Sequence, residues 1–234
     1  MAKKEKKKLT ANEILVNKTE GWIATHKGLI IGAVAVVAAA ILVAIIITVV
    51  SSSGDDGVNT SLVTLQSDYE SYQVMDSDDE EYASSLANVK AEAEALVAKP
   101  GVKKYAGAKA ALILADIAYS DADYAAAVDY YNTVYEAQAD TYLGQVALMS
   151  KAAALEESGD TDGALEAYNL VWDKYGVSGI YASRALFNAA RLTENSNVDL
   201  AISMYEQLAG EFEEASSEFA KLATSRASQL KLNK

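Results

Sequence analysis

The chain has 234 residues, with 33 Asp and Glu against 20 Lys and Arg, one His, one Pro and no Cys, for a formal charge of −13. The lack of cysteine excludes disulfides, thiol redox chemistry, a lipid-modified cysteine anchor and thiolate metal sites together. The acid excess sets the chain against nucleic-acid phosphates.

Residues 1–27 form a basic leader, with seven Lys against three Glu. Thr10 and Glu13 have capping-box spacing, and Ile14, Leu15, Trp22 and Ile23 make a broken apolar stripe. Two readings stand: a helix lying on the inner membrane surface, or a solvated tail held near anionic lipid by its lysines. His26 is the only histidine of the chain, and it reads as a headgroup-level polar residue rather than a metal ligand or general base.

Gly28 to Val50 contains no charged residue. A helix of this length reaches about 34 Å, enough to cross a hydrocarbon core of about 30 Å. It satisfies its own backbone polar groups in lipid. Lysines ahead of it and a formal −17 on residues 28–234 orient it with the N-terminus inside and the remainder outside. The expected topology is therefore one membrane crossing, with a cytoplasmic leader and the C-terminal part on the outer side. A cleaved signal peptide is the alternative, with Val49-Val50-Ser51-Ser52-Ser53 as its cleavage region, but the apolar core exceeds the usual length of about 7–15 residues.

A linker, 51–57, precedes an all-α domain, to which abundant alanine and a lone proline both point. Helices are expected over Val58–Met75 and Glu80–Ala98, separated by the acidic run Asp76–Glu81. Residues 58–100 then form an N-terminal helix pair, either a degenerate repeat or a cap. Asp76–Glu81 lacks the alternating ligands and central glycine of a calcium loop and reads as a solvated turn.

From 101 to 216 a period of 37 residues emerges. Tyr131, Tyr168 and Tyr205 share it, as do Ala127, Ala164 and Ala201, and Leu112, Met149 and Leu186. So do Ala115, Ala152 and Ala189; Val134, Val171 and Leu208; and the turn residues Asp123, Asp160 and Asn197. Within each unit apolar residues recur at helical spacing on both sides of the turn, the pattern of an antiparallel helix pair. One pair cannot bury both its apolar faces, so pairs stack. Residues 217–234, with Phe219, Leu222, Ala223 and Leu230 on one stripe, read as a capping helix.

The pattern Ala115…Asp123-Tyr124…Ala127…Tyr131, repeated as Ala152…Gly159-Asp160…Ala164…Tyr168 and Ala189…Ser196-Asn197…Ala201…Tyr205, resembles the tetratricopeptide repeat family. The fold so implied is an α-solenoid of stacked antiparallel helix pairs behind a single transmembrane helix. The family's usual period is 34, its closing proline is missing here, and its first-helix small residue is often glycine. In the family the first helix of each unit lines the concave face. On that resemblance Lys109, Asp116, Tyr119, Glu156, Ser183 and Thr193 lie on or near a partner-binding surface.

No phosphate loop, nucleophile elbow or metal-spaced cluster is present in the sequence, so no enzyme activity, cofactor or small-molecule substrate is expected. The order of leader, spanning segment and repeats, with GWIATHKGLIIGAVAVV at 21–37, resembles the YfgM-like ancillary subunits of the bacterial Sec translocon. That resemblance implies a protein-binding scaffold in protein export, with translocon subunits or periplasmic chaperones as partners. An adaptor in envelope assembly or cell division, built on the same solenoid, is the alternative.

Overall fold

The computed structural model describes His26, Ile45 and residues 55–212 and 217–233. The expected leader and spanning segment lie outside the described residues, apart from His26 and Ile45. No helix among the described residues is long and apolar enough to cross a membrane.

Nine α-helices follow one another among the described residues: α1 (Asp55–Gln73), α2 (Tyr82–Ala98), α3 (Tyr105–Ser120), α4 (Tyr124–Gln138), α5 (Tyr142–Glu157), α6 (Thr161–Tyr175), α7 (Ala182–Thr193), α8 (Val198–Glu211) and α9 (Glu218–Leu232). Each packs on the next in sequence, and α3 also touches α1 and α5, as α9 touches α7. The domain is therefore all-α, with adjacent helices stacked in solenoid-like order.

Two helix starts differ from the sequence reading, and α1 ends at Gln73 rather than Met75. Helix α1 begins at Asp55, inside the segment read as linker, and the carboxylate of Asp56 in its first turn favours the helix dipole. Helix α2 begins at Tyr82, with Glu81 at its cap position and no side-chain hydrogen bond there. The acidic run closes into its own turn instead, with Asp76 N donating to Asp79 Oδ2 (3.1 Å) and Asp78 N to Asp76 Oδ1 (3.2 Å).

The 37-residue spacing has a physical content at each position. Asp123, Asp160 and Asn197 are the N-caps of α4, α6 and α8, accepting from Ala126 N, Gly163 N and Leu200 N at 3.2, 3.0 and 3.0 Å. Each satisfies a backbone donor that a helix start leaves open. The alanines at 115, 152 and 189 and at 127, 164 and 201 are fully buried, where the lack of a larger side chain lets paired helices approach. The chain reverses between α3 and α4 through Ala122, at φ +59°, and between α5 and α6 through Gly159, at φ +86°. A left-handed residue closes a helix end well when it is glycine and less well when it is alanine.

Apolar burial runs as a relay of four clusters. The first joins α1, α2 and α3 through Leu65, Val89, Leu96 and Ile117. The second joins α3, α4 and α5 around Tyr131 and Val134. The third sets Tyr168 among Leu148, Val171, Ala185 and Ala189 of α5, α6 and α7. The last packs Leu186, Tyr205 and Leu208 under Ala223 and Ala227 of α9. Each cluster thus joins one helix pair to the first helix that follows it.

Polar ties cross the same junctions in register. Gln138, near the end of α4, donates to Val102 O (2.8 Å), and Tyr175, 37 residues later, donates to Ala139 O (2.6 Å). In both cases the end of a second helix grips the turn that leads into its own pair.

Candidate functional site

Three first helices contribute facing stripes. On α3, Lys109, Leu112, Ile113, Asp116 and Ser120 recur at three- and four-residue steps, which places them on one face. On α1 the same spacing gathers Gln66, Tyr69 and Gln73, and on α5 it gathers Val146, Ser150 and Ala153.

These stripes enclose two adjoining grooves that share Tyr69, Gln73 and Asp116. One, of about 260 Å³, is completed by Gln66, Glu70, Lys109, Leu112, Ile113 and Val146. The other, of about 330 Å³, is completed by Tyr119, Ser120, Tyr131, Ser150 and Ala153. A wider hollow on the face of α6, lined by Asp162, Leu165, Glu166, Asn169, Leu170 and Asp173, has no aromatic wall.

Asp116 sits where the two grooves meet. One side of it is open to solvent, and its Oδ1 accepts from the Tyr131 hydroxyl at 2.6 Å. Surrounding protein pushes its carboxyl above the usual range, against the hydrogen bond from Tyr131 and the charge of Lys109. Tyr69 faces the same carboxylate. Burial raises its phenol pKa first, then the Asp116 charge, with the Gln73 hydrogen bond opposing. Tyr119 forms the far wall, its ring edge-on to Tyr124 at 5.5 Å between centroids.

The other candidates fall elsewhere. Glu156 occupies in the next pair the position that Tyr119 holds here. Its carboxylate is engaged by the Tyr168 hydroxyl (3.1 Å) and by Arg191 Nη2 (2.6 and 2.7 Å). Ser183 lies half-buried in the first turn of α7, away from the grooves. Thr193 is 3 % exposed, and its hydroxyl donates to Ala189 O within α7 (2.8 Å), so it offers nothing to a partner. Counting from Ala189 places it on the right helix, but it is buried there.

Of the six residues, Lys109, Asp116 and Tyr119 come together. Sequence reasoning missed Gln66, Tyr69 and Gln73, because α1 lies outside the 37-residue register. Their own three- and four-residue spacing was the available signal. Among the described residues no group of His, Cys, Asp and Glu is placed to hold a metal ion.

A carboxylate governed by an arginine and one governed by desolvation respond oppositely to acid. Arg226 holds the Glu194 carboxyl below its usual range, helped by Tyr205 and Arg191 and opposed by burial. Stability from Glu194 is thus present above its unfolded pKa of about 4.3 and is lost as pH falls through the lower folded value. For Asp116 the folded value is raised, so the folded state favours its proton and the charged form at neutral pH works against folding. Glu194→Gln is expected to cost roughly 1 kcal/mol at pH 7, given the half-exposed arginine. Asp116→Asn, which keeps an acceptor for Tyr131, is expected to raise the melting temperature at pH 7. Both differences should shrink toward pH 3, as thermal melts across that range would read.

No protein-family model, no curated protein and no solved structure matches the chain.

Proposed function

We propose that the chain is a membrane-anchored scaffold whose stacked helices form a tetratricopeptide-like surface for other proteins, serving as an ancillary factor in protein export. The observation that carries this reading is the pair of adjoining grooves across α1, α3 and α5. They combine aromatic walls (Tyr69, Tyr119), amides (Gln66, Gln73) and two carboxylates (Glu70, Asp116). Shallow clefts of mixed polarity between packed helices suit an extended or helical protein segment. The uncharged run Gly28–Val50 and the lysines before it support tethering to an inner membrane, with the acidic domain on the periplasmic side.

The test is site-specific photocrosslinking in intact cells, with a photoreactive amino acid in place of Gln73. Expected adducts are a translocon subunit or a periplasmic chaperone. Adducts confined to envelope-synthesis or division proteins would replace the export role by that of an adaptor. A probe that captures no protein from Gln73, while one at a buried site such as Leu65 also captures none, would reject protein docking at this surface.

A further inference from the structure

The helix stack repeats one polar arrangement, and the first occurrence lacks a part. In the pair α5–α6, the Glu156 carboxylate takes the Tyr168 hydroxyl from the second helix and Arg191 from α7, the first helix of the next pair. In the pair α7–α8, Glu194 at the end of α7 takes the Tyr205 hydroxyl (2.7 Å) and Arg226 from α9. The guanidinium contacts both oxygens there, Nε at 2.9 Å and Nη2 at 2.5 Å. In each case the tyrosine comes from within the pair and the guanidinium from the helix that follows.

In the pair α3–α4, Asp116 takes the Tyr131 hydroxyl in the same way (2.6 Å). Helix α5 is the one that should supply the guanidinium, and it does not. Ala154 stands 37 residues before Arg191 and is buried, while Ala153 beside it lines the groove. Lys151, the lysine of α5, is turned to Asn132 Oδ1 at 2.6 Å. None of the ion pairs among the described residues includes Asp116. The volume a guanidinium would fill is the groove of about 330 Å³ between Tyr69, Gln73, Tyr119 and Ser150.

We infer that this groove receives an arginine side chain from a partner protein, whose guanidinium completes on Asp116 and Tyr131 the arrangement that Arg191 and Arg226 complete within the chain. A guanidinium presents a flat fork of donors that matches a carboxylate, and its faces pack on tyrosine rings such as Tyr69 and Tyr119. A lysine ammonium matches only the charge. The −17 formal charge of residues 28–234 draws a basic segment toward the site over a longer range. At Asp116 desolvation outweighs the Tyr131 hydrogen bond and the Lys109 charge, whereas at Glu194 the hydrogen bond from Arg226 outweighs desolvation. The inference rests on the protein-docking reading above and specifies the partner's chemistry.

The experiment uses the full chain in lipid nanodiscs and three synthetic pentapeptides, Gly-Gly-X-Gly-Gly, each with a terminal photoreactive group and X as arginine, lysine or citrulline. The arginine peptide is expected to label the stretch containing Tyr69, Gln73 or Tyr119 at least tenfold more than the citrulline peptide, and more than the lysine peptide. Asp116→Asn should abolish that preference in a chain whose thermal midpoint is raised rather than lowered. Ala153→Arg, which offers a guanidinium from α5 itself, should block labelling. Equal labelling by arginine and citrulline, or labelling that survives both substitutions, overturns the arginine site. Either result, combined with partner adducts from the Gln73 probe in cells, would leave protein docking standing and remove only the arginine. Adducts from the photoreactive residue at position 73 to the chain's own residues 3–8 would also overturn it, naming an internal occupant instead.

Discussion

Gly144→Ala is expected to lower the stability of the helical domain by about 1–3 kcal/mol or more, although alanine is the better helix former. Gly144 lies in the first turn of α5, and a Cβ there would stand 2.2 Å from Gln138 O and 2.9 Å from the Ala139 Cα. Both are backbone atoms of the turn that joins α4 to α5, so no side chain can move aside to make room. The turn itself is held, with Gln138 donating to Val102 O and the Tyr175 hydroxyl to Ala139 O. Relief would have to break one of those ties or tilt α5 away from α4. Gly107 in α3, 37 residues earlier, meets Gly101 O at the same 2.2 Å. Gly210 in α8 provides the control, since nothing lies within 4 Å of a Cβ added there. Gly210→Ala should raise stability by up to about 1 kcal/mol from helix propensity alone. Chemical denaturation of the Gly144→Ala and Gly210→Ala variants in parallel reads the result. A Gly144→Ala domain as stable as the parent would mean that the turn is not held where the structure places it.

Tyr205→Ala is expected to cost about 3–5 kcal/mol, the range for emptying an aromatic site in a core. The ring is 1 % exposed, packs 5.4 Å from Phe187, and joins Leu186 and Leu208 beneath α9. Its hydroxyl also donates to Glu194 Oε1. Tyr205→Phe separates the two contributions. It keeps the packing and removes one hydrogen bond to a carboxylate that Arg226 still holds, for a loss of about 1–2 kcal/mol. A Phe variant as damaged as the Ala variant would show that the carboxylate network, rather than the apolar volume, fastens α9 to α7 and α8. Urea titrations with the slope compared between variants would distinguish the two.

The helical class and the stacking of neighbours were legible because the residues that enforce them recur at one interval. Tyr131, Tyr168 and Tyr205 are all under 4 % exposed, and the alanines in register with them are buried wherever helices meet. An N-cap is local chemistry, so Asp123, Asp160 and Asn197 could be read as turn residues from sequence alone. The grooves were legible only in part. Lys109, Asp116 and Tyr119 share a stripe that counting along one helix can find. Their opposite wall on α1 could not be found by the same counting, since α1 and α2 do not keep the register. Thr193 shows the reverse failure, because a position on the right helix face is removed from the surface by whatever packs over it. The arginine ties were not legible at all. Arg191 lies 35 residues from Glu156 and Arg226 lies 32 from Glu194, so neither keeps a common interval and only the packed helices bring them together.

The relay of clusters governs how the domain comes apart. Since α3, α5 and α7 each lend residues to two clusters, loosening begins at the outermost helices and must travel inward one junction at a time. Amide exchange should therefore be slowest along α5 and α6 and quicken toward α1 and α9. The grooves, walled by α1 on one side and α5 on the other, straddle that gradient, with one lip that yields readily and one that stays firm.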